Sequence, residues 1–166
     1  ALKLSVLLFQ RPGEIRSMRW NEINWEKSRW ERESFRQKAR RDHISPLSTQ
    51  VLAVLEEMQS FTGESEFVFP NTRNWTEPMS DNSVRVALRG MGFGKEAITP
   101  HGFRAMARTI LEEELGYSDK LVELQIAHKV YNPMGRAYDR TAFLPERSAM
   151  MQRWTDYLDQ LTDDAK

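Results

Sequence analysis

Apolar residues crowd the first positions of the chain, with Leu2, Leu4, Val6, Leu7, Leu8 and Phe9 reading as the end of a buried helix. Pro12 then stands where the first turn of a new helix tolerates proline, and Ile15, Met18 and Trp20 give that short helix an apolar side. Residues 21–33 mix Trp25 and Trp30 with charges in near alternation, which predicts short antiparallel strands and turns. Residues 34–45 extend this as a β-hairpin: a strand over 35–38, a polar turn over 40–42, then His43 and Ile44. Pro46-Leu47-Ser48 ends the sheet, and Ser48 or Thr49 caps a helix over 51–59. Residues 62–78 read as loop with a brief Phe67-Val68-Phe69 strand or turn. Ser80, Asp81 or Asn82 caps a helix to about Arg89, closed by Gly90 and Gly92. Thr99-Pro100 opens another that runs to Glu114 and stops at Gly116, and Ser118 caps one through Ala127. A short helix over 135–140 and an amphipathic one over 145–161 finish the chain. The pattern predicts an α+β domain, mainly α-helical, with one small antiparallel β-sheet near its front.

Composition narrows this picture. The 166 residues suit one domain spanning 1–166, with no repeat, low-complexity tract or internal linker. The absence of cysteine excludes disulfides, thiol catalysis and cysteine zinc sites together, and fits a reducing compartment. The apolar stretch over 4–9 is far too short to cross a bilayer and is not framed as a signal peptide, so the expectation is a cytoplasmic protein without a membrane. The chain opens at Ala1 straight into an apolar run with no cap before it, which predicts a fragment that lacks its front end.

Net charge is zero and by itself does not point to nucleic acid. Its distribution does more: Arg36, Lys38, Arg40 and Arg41 form a basic stretch, while Asp156, Asp159, Asp163 and Asp164 load the C-terminal end. Such a chain binds phosphate locally while staying neutral overall; the same run also reads as a solvated face.

The chemistry is equally two-sided when taken motif by motif. The histidines His43, His101 and His128 lie far apart without carboxylate partners at ligand spacing, so no metal site is expected. No glycine-rich phosphate loop or serine nucleophile elbow occurs. His101 and Arg104 stand three apart at the start of a helix, where the helix N-terminus and an arginine fork favour phosphate. The plain alternative is a capping histidine and a surface arginine. Arg11-Pro-Gly-Glu14 puts an arginine before a helix and a carboxylate in its first turn, which alone reads as capping with a surface salt bridge. Lys38 precedes the hairpin turn, where a lysine reaches into a groove or merely keeps a sheet edge soluble. His128 ends a helix, and Tyr138 follows within Arg136-Ala-Tyr-Asp-Arg140.

Order and spacing bind these weak signals together. Arg11-Pro-Gly-Glu14 with Trp20, Lys38 before His43-Ile-Ser-Pro-Leu-Ser48, His101-Gly-Phe-Arg104 with Ala107-Arg108-Thr109, Leu124-Gln-Ile-Ala-His128-Lys129 and Arg136-Ala-Tyr138 resemble the blocks of the phage integrase family of tyrosine recombinases. Glu146-Arg147 and Met150-Met151-Gln152-Arg153-Trp154 resemble that family's C-terminal helix, so the likeness covers nearly the whole chain. One departure stands before the first arginine, where many members carry Thr-Gly and this chain has Leu8-Phe9-Gln10.

The resemblance implies the tyrosine recombinase catalytic core, with core-site-binding and arm-site-binding domains upstream. It implies site-specific recombination that integrates or excises a phage or mobile element through a 3′-phosphotyrosyl intermediate, with no cofactor, metal or ATP. Tyr138 would be the nucleophile, Arg11 and Arg104 the phosphate clamps, His101 the proton-transfer partner, Lys38 the acid for the leaving 5′-oxygen, and His128 a donor to the phosphate. Glu14 would orient Arg11 or a neighbouring cation, and Arg36, Arg40 and Arg41 would contact DNA. Implied partners are double-stranded attachment-site DNA, further copies forming a tetramer on it, an excisionase and a DNA-bending host protein, in the nucleoid of a bacterial host. The alternatives are a catalytically silent DNA-binding remnant and a type IB topoisomerase-like activity.

Overall fold

The computed structural model describes residues 1–33, 42–128 and 141–164. Helix α1 (Leu2–Leu8) buries Leu4, Leu7 and Leu8 and ends at Phe9, and α2 (Pro12–Arg16) begins on the proline and buries Ile15. A 3₁₀ turn (Trp20–Glu22) leads into β1 (Ile23–Asn24), β2 (Arg29–Arg32) and β3 (His43–Pro46). These strands form one antiparallel sheet in the order β1-β2-β3, with Ile23 opposite Trp30 and Arg32 opposite His43.

The described partner of His43–Pro46 is Arg29–Arg32, and the predicted strand over 35–38 lies outside the described residues. Trp30 sets the buried face of β2: it is fully buried on the inner face, and Arg32 shares that face by the two-residue period of a strand.

Helix α3 (Thr49–Thr62) starts at Ser48, whose hydroxyl accepts the Val51 N–H as an N-cap, and it runs three residues past the predicted Gln59. After it, α4 (Ser83–Gly90) follows a loop in which Val68 N–H bonds the Met18 carbonyl, tying the loop to the segment just after α2. The single helix predicted from Pro100 to Glu114 is instead two elements, α5 (Gly102–Thr109) and a π-helical turn (Ile110–Glu114), ended by Gly116 at φ +71. Helix α6 (Asp119–Gln125) comes next, and α7 (Leu144–Asp164) closes the chain. The short helix predicted over 135–140 lies outside the described residues.

α7 buries Leu144, Arg147, Met150, Met151 and Trp154, a three-to-four spacing that lays one stripe onto the core. That core joins α1, α2, α3, α5, α6 and α7 over the sheet's inner face through Leu4, Leu8, Ile15, Trp30, Leu55, Ala107, Val122, Met151 and Trp154. Two of the carboxylates in the acidic C-terminal stretch are engaged, since Gln50 Nε2 donates to Asp156 and to Asp159, each at 2.8 Å. Among the described residues, no helix is long and apolar enough to cross a membrane.

Candidate active site

The site begins where α1 stops. Phe9 takes a left-handed conformation (φ 40, ψ 34), the geometry that glycine adopts freely and that costs a residue with a side chain about 1–2 kcal/mol. This is the position where the sequence departs from the Thr-Gly of the phage integrase pattern. The phenyl ring offsets the strain by packing edge-on against Trp154, with centroids 5.8 Å apart, in a fully buried environment. The left-handed turn points the Phe9 carbonyl at Arg104, whose Nη1 donates to it at 3.1 Å.

Two residues on, Arg11 caps α2 and binds Glu14. Its Nη1 donates to Glu14 Oε1 at 3.1 Å, and Glu14 Oε2 accepts from Arg32 Nη1 at 2.5 Å. The pair is therefore no ordinary surface salt bridge, because the Glu14 side chain is 10 % exposed and the Arg32 side chain 3 %. Arg32 has further contacts: Nη2 donates to Gln10 Oε1 at 2.9 Å and to Ser45 Oγ at 3.0 Å, and its guanidinium lies 4.0 Å from the Trp30 ring centroid. Burial pushes the Glu14 carboxyl up, but the charges of Arg32 and Arg11 and their hydrogen bonds outweigh it and hold the group below its usual value. Glu14 is thus a buried anion shared by two cations, so neither arginine is left alone in a low-dielectric setting.

A second cluster gathers on the backbone at the end of α6. Arg104 Nη2 donates to the Ile126 carbonyl at 2.9 Å, and Gln10 Nε2 donates to the Gln125 carbonyl at 2.8 Å. His43 Nε2 lies 3.1 Å from that same Gln125 carbonyl, which can only accept, so Nε2 carries the proton. Arg147, fully buried on α7, donates through Nε and Nη2 to Gln125 Oε1 at 3.0 and 2.9 Å, and through Nη2 to the Ile44 carbonyl. Burial lowers Arg147 to about 10, with Arg32 adding to the effect, and it stays charged at neutral pH. Burial, then Arg11, lowers Arg104 to about 10 as well. The surface-arginine reading of Arg104 is thereby corrected: it is 5 % exposed and braces the start of α5 against two other elements. Burial and the charges of Arg32 and Arg147 hold His43 well below the ordinary histidine range, so it is neutral.

A stability test follows from His43. The unfolded chain takes up a proton below pH about 6.5 that the folded chain refuses, so stability is lost as pH falls from there, by up to about 1.4 kcal/mol per pH unit until the folded-state pKa is reached. Denaturant titrations between pH 7.5 and 5 should show this slope, and His43→Gln should flatten it. An unchanged slope in the variant would rule out His43 as its source.

The remaining sequence candidates fall into two groups. His101 precedes α5 and is exposed; its side chain makes no capping hydrogen bond, contrary to the capping alternative. His128 follows α6 after Ala127 turns left-handed (φ 59), and its Nδ1 sits 2.6 Å from Glu123 Oε2. Glu123 in turn pairs with Arg108 Nη1 at 2.8 Å. Lys38, Arg36, Arg40, Arg41 and Tyr138 lie outside the described residues. Sequence reading assigned no role to Gln10, Arg32, Ser45, Glu123, Gln125 or Arg147. Ser45, Gln125 and Arg147 fall within the family-like blocks without an assigned role, and Arg32 carried a separate signal, a charge on the same strand parity as Trp30 and hence on the buried face.

The α+β fold is that of known DNA integrases. It is similar to the integrase of mycobacterium phage Brujita (TM-score 0.69, 16 % identity, 92 % of this chain and 50 % of that one). It is also similar to a lambda integrase dimer solved bound to a COC′ core site (TM-score 0.55, 23 % identity, 83 % and 54 %). The profile of the Phage integrase family matches residues 1–143, and the chain belongs to that family. It is 40 % identical over 173 residues to the integrase of Enterobacteria phage P4, covering 96 % of this chain and 39 % of the relative. Against the prophage integrase IntA of Escherichia coli (strain K12) it is 39 % identical over 151 residues, covering 91 % and 36 %. The chain thus spans under two-fifths of the length of these two curated relatives.

Proposed function

We propose that this chain is the catalytic part of a site-specific recombinase that cuts and rejoins DNA through a tyrosine–phosphate bond. The observation that carries the proposal is the bracing of Arg104 against the turn that presents Arg11. An arginine has five N–H donors. Among the described residues Arg104 spends one from each Nη on the Phe9 and Ile126 carbonyls, and its other donors remain for an oxyanion.

A phosphodiester under attack spreads negative charge over its non-bridging oxygens, and fixed cations lower that barrier because they need not reorganise. Arg11 and Arg104 supply such cations, and Glu14 with Arg32 keeps Arg11 in place. The Tyr138 hydroxyl attacks phosphorus, a P–O bond to tyrosine forms, and the P–O5′ bond breaks. Its ordinary pKa is about 10, so the proton must leave during attack; His101 takes it, and Lys38 protonates the departing 5′-oxygen. His128 donates to the phosphate. A 5′-hydroxyl from another strand reverses the step, so bond energy is conserved without ATP. Arg36, Arg40 and Arg41 contact DNA phosphates, which makes binding salt-sensitive. Recombination proper takes place in a tetramer on attachment-site DNA, with an excisionase and a DNA-bending protein setting direction.

The test is covalent trapping on a nicked duplex carrying the attachment site, followed by mapping of the nucleotide-bearing peptide. A protease-sensitive adduct on Tyr138 is expected. An adduct on Tyr131 would move the nucleophile. DNA binding without any adduct would leave a silent remnant, and relaxation of supercoils without strand exchange would favour the topoisomerase-like alternative.

A further inference from the structure

We infer that Glu123 is a positioning residue for His128: it holds the imidazole with the proton on Nδ1 and leaves Nε2 as the atom that addresses the phosphate. The inference rests on the proposed placement of His128 at the scissile phosphate, but the holding contact itself stands on geometry alone.

Two separate contacts bind His128 to Glu123. The His128 N–H donates to the Glu123 carbonyl at 3.0 Å as α6 closes, and the ring Nδ1 lies 2.6 Å from Glu123 Oε2. The left-handed Ala127 (φ 59) makes this possible, since it folds residue 128 back over the last turn of the helix. A carboxylate oxygen accepts and does not donate, so Nδ1 must be the protonated nitrogen. The carboxylate itself is held from a second helix. Its Oε1 pairs with Arg108 Nη1 at 2.8 Å, and Arg108 Nε also donates to Glu112 at 3.0 Å. The ring is thus gripped at one nitrogen by a group that is restrained on its far side, while His128 itself is 44 % exposed. Orientation of this kind matters because a histidine has two inequivalent nitrogens, and the bond made by one decides the role of the other. With Nδ1 committed to Glu123, Nε2 is the ring nitrogen left to meet a phosphate oxygen, as a donor when the ring is doubly protonated.

Imidazole ¹⁵N NMR on this chain reads the effect directly, with His128→Gln assigning the signals. The wild-type chain should show neutral His128 as the Nδ1–H tautomer, and Glu123→Ala should shift it towards the Nε2–H form that free imidazole prefers. Glu123→Gln, whose amide oxygen still accepts, should retain Nδ1–H. In single-turnover cleavage, Glu123→Ala should slow the chemical step about 10-fold with DNA affinity unchanged, and Glu123→Gln should recover most of the loss. The expected tautomers support the grip whether or not the chain cleaves DNA, so a silent protein would count against the recombinase reading alone. An Nε2–H His128 in the wild-type chain, or a tautomer unchanged by Glu123→Ala, overturns the inference. A full tautomer shift with undiminished cleavage overturns the role at the phosphate.

Discussion

Replacing Arg104 with lysine is expected to slow strand cleavage about 10²- to 10³-fold, the usual cost of one preorganised oxyanion donor, with the fold retained. Charge is conserved in this variant, so the loss isolates geometry. The Phe9 and Ile126 carbonyls are bonded by two different guanidinium nitrogens, at 3.1 and 2.9 Å, and the planar fork does this while keeping donors for a phosphate. One ammonium cannot span both carbonyls and grip an oxyanion as well. Alanine should be worse in a second respect: it leaves two buried carbonyls without donors, at about 1–3 kcal/mol each. Single-turnover cleavage and thermal melting separate the two effects. Lysine within threefold of wild type would show that the fork is dispensable and would remove the main support for the clamp.

How far the sequence reveals this site depends on the range of each interaction. The helices were legible because their apolar spacing and caps are local: α3 begins at the Ser48 cap, and α7 covers the predicted amphipathic stretch with one residue added at its start and three at its end. The break after Thr109 was not legible, since nothing in the local spacing separates an α-helical turn from the π-helical turn that carries the buried Leu111. Arg11, Glu14 and Arg104 could be found from motif order, but not the burial of Glu14 and Arg104. A buried arginine and an exposed one have the same letter, and only the fold supplies the Phe9, Ile126 and Gln10 partners from distant parts of the chain. The departure before Arg11 shows the converse. Where many family members carry Thr-Gly this chain has Leu8-Phe9-Gln10, and Phe9 takes a left-handed backbone that glycine adopts freely, with its ring packed against Trp154. Gln125 and Arg147 were invisible as a pair, being 22 residues apart and meeting only when α7 docks.

That docking makes Trp154→Ala the largest stability loss expected outside the charged cluster, about 3–5 kcal/mol, by the usual cost of truncating a fully buried tryptophan. For a domain of this size each kcal/mol lowers Tm by about 2–4 °C, so melting should drop by about 6–20 °C. The indole is 0 % exposed, donates from Nε1 to the Val6 carbonyl at 3.2 Å and supports the Phe9 ring. Removing it takes away the packing that offsets Phe9's strained backbone, and the Phe9 carbonyl is one of the two that aim Arg104. Cleavage by Trp154→Ala should therefore fall even at temperatures where the variant remains folded. Trp154→Phe, which keeps a ring and loses the N–H, should cost much less in both measurements. If Trp154→Ala melts within a degree or two of wild type, α7 is not part of the cooperative core; if it melts low but cleaves normally once folded, the turn at Phe9 does not depend on it. Both observations together, lower melting and slower cleavage, are what a helix that seals the core and braces the turn at Phe9 must give.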